Sequence, residues 1–211
     1  MPEAPADIRY VAKNMRLDLR LIAGMIAPGS RVLDIGCGDG ALLAHLTAEK
    51  NADARGIEID MAQATQAVAA GLAVIHGDAD HDLAFYPDGA FDAVVLSRTL
   101  QAVERPREVL RQMLRIGRNA IVSFPNFGHW LVRWQLLATG RMPMTDTWRR
   151  PWHETPNIHL CSLGDFEALV AEHGQRIARR VLLGEDGRPA PRGVRVRANL
   201  LAAGAVYVLE G

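Results

Sequence analysis

The stretch from Arg31 to Leu46 limits the possible folds more than any other. Val32-Leu33-Asp34-Ile35 is a short apolar, β-branched run that leads straight into glycines at 36, 38 and 40. Such a run predicts a buried strand. Ala41-Leu42-Leu43-Ala44-His45-Leu46 then repeats leucine at helical spacing. A glycine turn between strand and helix lets backbone approach a ligand closely. The helix amino terminus adds unpaired N–H groups and the positive end of a dipole. These residues alone leave the ligand open.

The flanking sequence repeats the alternation. Met15, Leu19, Ile22 and Ile26 predict an amphipathic helix, which Pro28-Gly29-Ser30 ends. Strands are expected at 54–60, 72–76, 91–97 and 120–124, with helices at 61–70 and from Pro106 between them. Phe91 to Ser97 is apolar nearly throughout, as for a strand covered on both faces. Alternating strands and helices predict a parallel sheet with helices on both faces. Later, Ser162 caps a helix carrying Leu163, Phe166, Leu169 and Val170, which Gly174 ends. Two strands follow, about 179–183 and 200–209, with no helix pattern between them, so the sheet is expected to close antiparallel. Residues 1–8 read as a disordered terminus, and 9–211 as a single domain interrupted by an excursion at 125–158.

Charge and cysteine content narrow the class. Twenty-four basic and 24 acidic residues balance among 211, which argues against a general binder of nucleic acid or anionic membrane. Cys37 and Cys161 give neither a disulfide framework nor a metal-site spacing. The first seven residues lack the apolar core of a signal peptide, and no apolar run approaches membrane-spanning length. A cytoplasmic protein without metal is the expectation.

A glycine turn after a first strand, with an acid about 20 residues on, is the logic of dinucleotide binding. Glu58 stands 22 positions after Gly36, placed to accept both ribose hydroxyls. The glycines read G-x-G-x-G rather than G-x-G-x-x-G, with Asp34 just before them. An acid there repels a pyrophosphate and suits an α-amine. Asp78, or the backbone beside it, is placed to read an adenine amine. Amine, ribose and adenine together describe S-adenosylmethionine or S-adenosylhomocysteine.

Val-Leu-Asp-Ile-Gly-Cys-Gly-Asp-Gly, residues 32–40, resembles motif I of the class I S-adenosylmethionine-dependent methyltransferases. The resemblance implies a Rossmann-like α/β fold with a seven-stranded, mostly parallel sheet whose last strand is inserted antiparallel. The candidate cofactor residues are then Asp34, Gly36, Cys37, Gly38, Gly40, Glu58, Ile59, Asp78, Ala79 and Ser97. Cys37 reads as a small packing residue within the turn.

No clear catalytic base accompanies this set. Ser97-Arg98-Thr99-Leu100-Gln101 replaces the Asn-Pro-Pro signature of amino-methylating nucleic-acid enzymes, and Phe124-Pro125-Asn126-Phe127 reads as a turn after the fifth strand. His129, His153 and His159 are the titratable candidates. All four tryptophans, 130, 134, 148 and 152, fall in the excursion, interleaved with Arg133, Arg141, Arg149 and Arg150. Trp130 and Trp134 would share one side of a helix. Two readings stand side by side: a satellite core that packs a long excursion, or a substrate lid or partner surface.

Phe124-Pro-Asn-Phe-Gly-His-Trp, Trp134-Gln-Leu-Leu, Gly140-Arg-Met-Pro and Thr155-Pro-Asn-Ile-His-Leu-Cys161 closely resemble the MetW family of methionine-biosynthesis proteins, across residues 9–211. Trp148-Arg149-Arg150 and His153-Glu154 depart from that family's pattern. The resemblance implies an accessory subunit beside a MetX-type homoserine O-acyltransferase. Asn126, His129, Trp130, Arg133, Trp134 and His159 are the substrate or partner candidates. An active methyltransferase on a small molecule is the alternative, and nucleic-acid methylation is disfavoured.

Overall fold

A computed structural model describes residues 15–211; the expected disordered terminus, 1–8, lies outside the described residues. Seven strands form one sheet in the order β3-β2-β1-β4-β5-β7-β6. They are β1 (Arg31–Ile35), β2 (Asp53–Glu58), β3 (Ala73–His76), β4 (Phe91–Ser97), β5 (Gly117–Pro125), β6 (Arg176–Leu183) and β7 (Gly204–Glu210). The first five are parallel, and β7 is antiparallel to both β5 and β6. The mostly parallel sheet with an antiparallel last strand is therefore borne out.

Both faces of the sheet are covered, which explains the continuous apolar strands. Alternation along β1 sends Leu33 and Ile35 to one face and Val32 to the other. The Leu33 face packs α5 (Pro106–Ile116) and α7 (Leu163–Glu172), with Phe124 between Phe166 (4.8 Å between ring centres) and Tyr207 (5.8 Å). The Val32 face packs α1 (Leu17–Met25), α2 (Ala41–Lys50) and Ala67 of α3 (Met61–Ala69). Asp34, Ser97 and Ser123 share the parity of the Val32 face, so all three carry polar groups toward α1. Each lies at a carboxyl end of β1, β4 or β5.

Local chemistry explains several boundaries. Ser162 caps α7 by a reciprocal box: its hydroxyl accepts from Asp165 N at 3.3 Å, and its own N–H donates to Asp165 Oδ2 at 2.9 Å. One boundary differs from expectation. The last strand begins at Gly204 rather than Leu200, because Ala198–Leu201 forms a helical turn, α8. The Asn126 side chain holds that turn by donating to Asn199 O and Ala202 O. A short helix, α4 (Ala79–Asp82), and the one that opens the excursion, α6 (Trp130–Thr139), complete the part of the fold relevant to the site. Among the described residues, no helix is long and apolar enough to cross a membrane.

Candidate functional site

The order of β3, β2, β1 and β4 makes β1/β4 the point where the chain reverses direction across the sheet. Ligands of open α/β sheets bind at such a point, outside the carboxyl ends of the strands. The turn after β1 sits there. Gly36, Gly38 and Gly40 all have left-handed φ, +68°, +59° and +81°. At Gly36 a side chain is excluded twice, because a Cβ would also lie 2.5 Å from Thr99 Oγ1. Gly36 N donates to Ile57 O at 2.8 Å, which locks the turn to β2.

Glu58, at the end of β2, is buried and braces this turn. One carboxylate oxygen accepts from Gly38 N at 2.7 Å and the other from Asp60 N at 2.9 Å. A carboxylate has about four acceptor positions, so two remain. Ile59 is exposed beside it. Cys37 fills the space against Gly56, where a Cβ would come within 2.5 Å of its sulfur. Burial pushes the Cys37 thiol up, and Asp34 and Glu58 push it the same way, as befits a packing residue rather than a nucleophile.

Asp34 is the anomaly of the site. It is buried, and its Oδ1 has no hydrogen-bond partner. Burial raises its carboxyl to about 7; Arg16 opposes the rise and Glu58 adds to it. A native fold rarely leaves such a group unpaired without a purpose. The free oxygen can accept from an ammonium donor, so the residues present fit the amino-acid end of S-adenosylmethionine.

Asp78 caps α4 after β3, accepting from Asp80 N at 2.9 Å and pairing with His81 Nδ1 at 2.9 Å. Burial raises its pKa, but the Asp80 N–H, His81 and Arg105 outweigh this and hold it below the usual range. Ala79, next to it, is half-buried. Ser97 ends β4 on a buried bond of 3.1 Å to Ser123. The strand-end residues are thus neighbours along one edge of the sheet.

Sequence reasoning missed a cluster above that edge. Arg16 donates from Nη2 to Ser97 Oγ and from Nε to Asp18 Oδ1, both at 3.1 Å. Buried Asp18 also faces Arg98 Nε, 3.0 Å from its Oδ2. Arg98 has φ +60°, a strained conformation for a residue with a side chain. A narrow cleft lined by Asp18, Arg98, Ser123, Thr147 and Glu185 opens beside it. The local signal for this cluster is weak, because its members come from three elements.

The candidates of the excursion divide. Asn126 is fully buried, with donors to Asn199 O and Ala202 O, and its oxygen accepts from Gly128 N (2.9 Å) and Leu163 N (3.2 Å). Its hydrogen-bonding capacity is spent within the fold. His129 is buried 3.9 Å from Glu185; burial lowers its pKa, against Glu185 and the Leu201 backbone, which raise it. His159 is exposed and sits instead on the Glu104 carbonyl, 3.1 Å away, while its N–H donates to Gln101 O. Trp130, Arg133 and Trp134 converge on α6 with Leu137 and Leu200 around an open apolar groove. Trp148, by contrast, is buried edge-on against Phe127, so the satellite-core reading fits that tryptophan and the surface reading fits the α6 pair.

Comparison with known proteins adds the family context. The family described as "Methionine biosynthesis protein MetW" matches residues 16–209. A bifunctional methionine biosynthesis protein MetXA/MetW from Rhodopirellula baltica is 35% identical over 180 residues, covering 81% of this chain and 28% of the relative. An ajmaline N-methyltransferase from Rauvolfia serpentina is 30% identical over 95 residues, covering 41% and 32%. The chain therefore spans about a third or less of the length of these curated relatives. Among solved structures, a methyltransferase dependent on S-adenosylmethionine from Mesorhizobium loti aligns over 95% of this chain and all of its own, with TM-score 0.66 and 17% identity. Another from Archaeoglobus fulgidus covers 97% and 94%, with TM-score 0.64 and 18% identity. The cyclase SpnF covers 91% and 78%, also with TM-score 0.64 and 18% identity. These likenesses establish the fold; a fold by itself does not fix a reaction.

Proposed function

Because the chain belongs to the MetW family of methionine biosynthesis proteins, we propose that it is an accessory subunit of a MetX-type homoserine O-acyltransferase that binds S-adenosylmethionine or S-adenosylhomocysteine. The observation that carries the cofactor half is the unpartnered Asp34 carboxylate beside the glycine turn. In this reading Asp34 takes the α-ammonium group and Glu58 the ribose hydroxyls. Asp78 or the Ala79 backbone takes the adenine amine. The bound cofactor supplies a pathway-related signal, and the residues around it supply orientation.

The partner half is supported by the Rhodopirellula relative, whose name joins MetXA to MetW in one protein. The exposed Trp130–Trp134 face of α6, with Arg133 beside it, has the composition of an interface anchor. Mixing this protein with a MetX-type acyltransferase is expected to raise the acyltransferase rate, and the two are expected to co-purify. An unchanged rate together with separate elution would sink the partner reading.

A second reading, methyl transfer to a small molecule, draws support from the cleft between Arg98 and Glu185 beside Ser97. Positioning alone accelerates attack by a reactive nucleophile. Labelled S-adenosylmethionine incubated with a metabolite pool discriminates: a labelled product supports this reading, and none at high protein concentration defeats it.

A further inference from the structure

Helix α6 reads Trp-Leu-Val-Arg-Trp-Gln-Leu-Leu-Ala-Thr, yet Val132 is the one buried residue in it. By contrast, α5 buries Val109, Leu110, Gln112, Met113 and Ile116. A ten-residue helix is marginal in water unless a face of it is packed. Trp130, Trp134 and Leu137 recur at steps of four and three, so they form one stripe. Leu137 in that stripe is 81% exposed. Leu200 of α8 stands beside it, and with Arg133 these side chains line an open groove. The floor of the groove is apolar and concave, a shape that accepts a ridge of side chains.

The surroundings of the groove carry charge of one sign. Arg133 donates through Nε to Gly128 O at 2.6 Å, which holds its guanidinium in place. Arg197 leads into α8, three positions before Leu200, and Arg192 and Arg195 precede it in a short 3-10 turn. All four arginines are exposed, and no acid occurs between Asp186 and Glu210. Other surface arginines have acidic partners: Arg31 has Asp92, Arg107 has Glu172 and Arg180 has Glu167. Among the described residues, Arg133, Arg192, Arg195 and Arg197 form no ion pair. In a chain whose basic and acidic residues balance, an uncompensated basic rim around an apolar groove selects what can cover it. Guanidinium groups in this setting are receptors for carboxylates.

We propose that the α6 groove docks an acidic amphipathic helix of a protein partner, whose apolar ridge enters beside Trp134, Leu137 and Leu200 and whose carboxylates meet Arg133 and Arg197. This inference rests on the partner reading above and gives the docking segment its chemistry. Nucleic acid fits the surface less well. It calls for a continuous cationic track and flat stacking platforms, whereas leucines share this floor and the cations stand around it. A bilayer presents no ridge to fill a concave groove.

Calorimetric titration with defined probes tests the charge and the class of the occupant. The probes are a MetX-type acyltransferase and two synthetic helical peptides with leucines at i, i+3, i+4 and i+7. One peptide carries glutamate at its other positions and the second carries lysine. Phosphatidylglycerol vesicles and single-stranded DNA complete the set. The wild type is expected to bind the glutamate peptide about 10-fold or more tightly than the lysine peptide. Arg197→Glu is expected to weaken both the glutamate peptide and the acyltransferase about 10-fold. Arg133→Glu combined with Arg197→Glu is expected to reverse the preference toward the lysine peptide, a gain that a misfolded variant does not show. Equal affinity for the two peptides would overturn the inference, as would wild-type binding of the glutamate peptide by Arg197→Glu. Tighter binding of the vesicles or the DNA than of the glutamate peptide would overturn it in favour of a membrane or a nucleic acid. An acyltransferase that binds wild type and Arg197→Glu alike defeats this inference and leaves the partner reading standing. Selective binding of the glutamate peptide without binding of the acyltransferase defeats the partner reading and leaves this one.

Discussion

Asp34 and Asn126 are both buried polar side chains at strand ends, and the fold treats them in opposite ways. Asn126 makes four hydrogen bonds, to Asn199, Ala202, Gly128 and Leu163. It ties the start of the excursion to α7 and α8. Asp34 keeps an oxygen with no partner, and its carboxyl is raised to about 7 by burial. Burying an unpaired polar group costs stability that packing elsewhere must offset. The contrast teaches how to sort polar residues that look alike in a sequence. Asn126 spends its capacity within the fold, and in the proposed reading the free Asp34 oxygen serves the ligand.

The sharpest way to break the ligand side of this contrast is Gly36→Val. The backbone strain of φ +68° and the clash with Thr99 together are expected to cost about 4 kcal/mol of stability. Cofactor affinity is expected to fall by more than about 100-fold, since the turn then leaves its position. Urea unfolding and calorimetry check both, and wild-type values in either would detach the turn from the site.

Asp34→Asn is expected to do the reverse for stability. The folded protein holds a proton on Asp34 that the unfolded chain releases above pH 4, because the folded value is about 7 and the ordinary one is 3.8. Stability contributed at this position is therefore greatest below pH 4 and declines as pH rises toward 7, by up to about 4 kcal/mol. The variant lacks that decline, so it is expected to be more stable than wild type at pH 8 and about equal at pH 4, while losing affinity for the cofactor's ammonium. Urea unfolding at the two pH values checks this. A destabilised variant at pH 8 would mean that the carboxylate has a partner within the fold.

On the structural side, Asn126→Ala is expected to cost about 2 kcal/mol, since it removes the partner of backbone groups at 128, 199 and 202, while Leu163 N keeps Asn199 Oδ1. Cofactor affinity is expected to remain at the wild-type value. A variant that folds as stably as wild type but loses ligand would move Asn126 to the other class.

Much of this division follows from how far each signal travels along the chain. The strand and helix pattern of residues 31–124 is local, and the sheet carries it, with five parallel strands in the expected sequence. The antiparallel close was also legible, since no helix pattern separates its strands. The structural role of Asn126 gave no such signal, because three of its four partners lie 37 to 76 residues away. The turn at Ala198–Leu201 was hidden for the same reason: its apolar run reads as strand until Asn126 takes its carbonyls. Arg16 and Asp18 sit where periodicity predicts an ordinary helix start. Only the packing of α1 onto β1 and β4 brings them over Asp34 and Ser97.

The smallest expected change in stability belongs to the α6 face, and it divides the excursion as Asp34 and Asn126 divide the buried polar groups. Trp130 and Trp134 are 47% and 59% exposed, so truncating them removes little core. The double variant Trp130→Ala with Trp134→Ala is expected to unfold within about 0.5 kcal/mol of wild type. Its cofactor affinity is expected to be unchanged. Co-purification with the acyltransferase is expected to fail, because large aromatic anchors carry most of an interface's binding energy. Trp148→Ala is the internal control: its ring is packed against Phe127, so it is expected to lose about 3 kcal/mol of stability instead. If the double variant destabilises the protein as much as Trp148→Ala does, the α6 tryptophans belong to the satellite core. If it is stable and still co-purifies, the partner contacts another face.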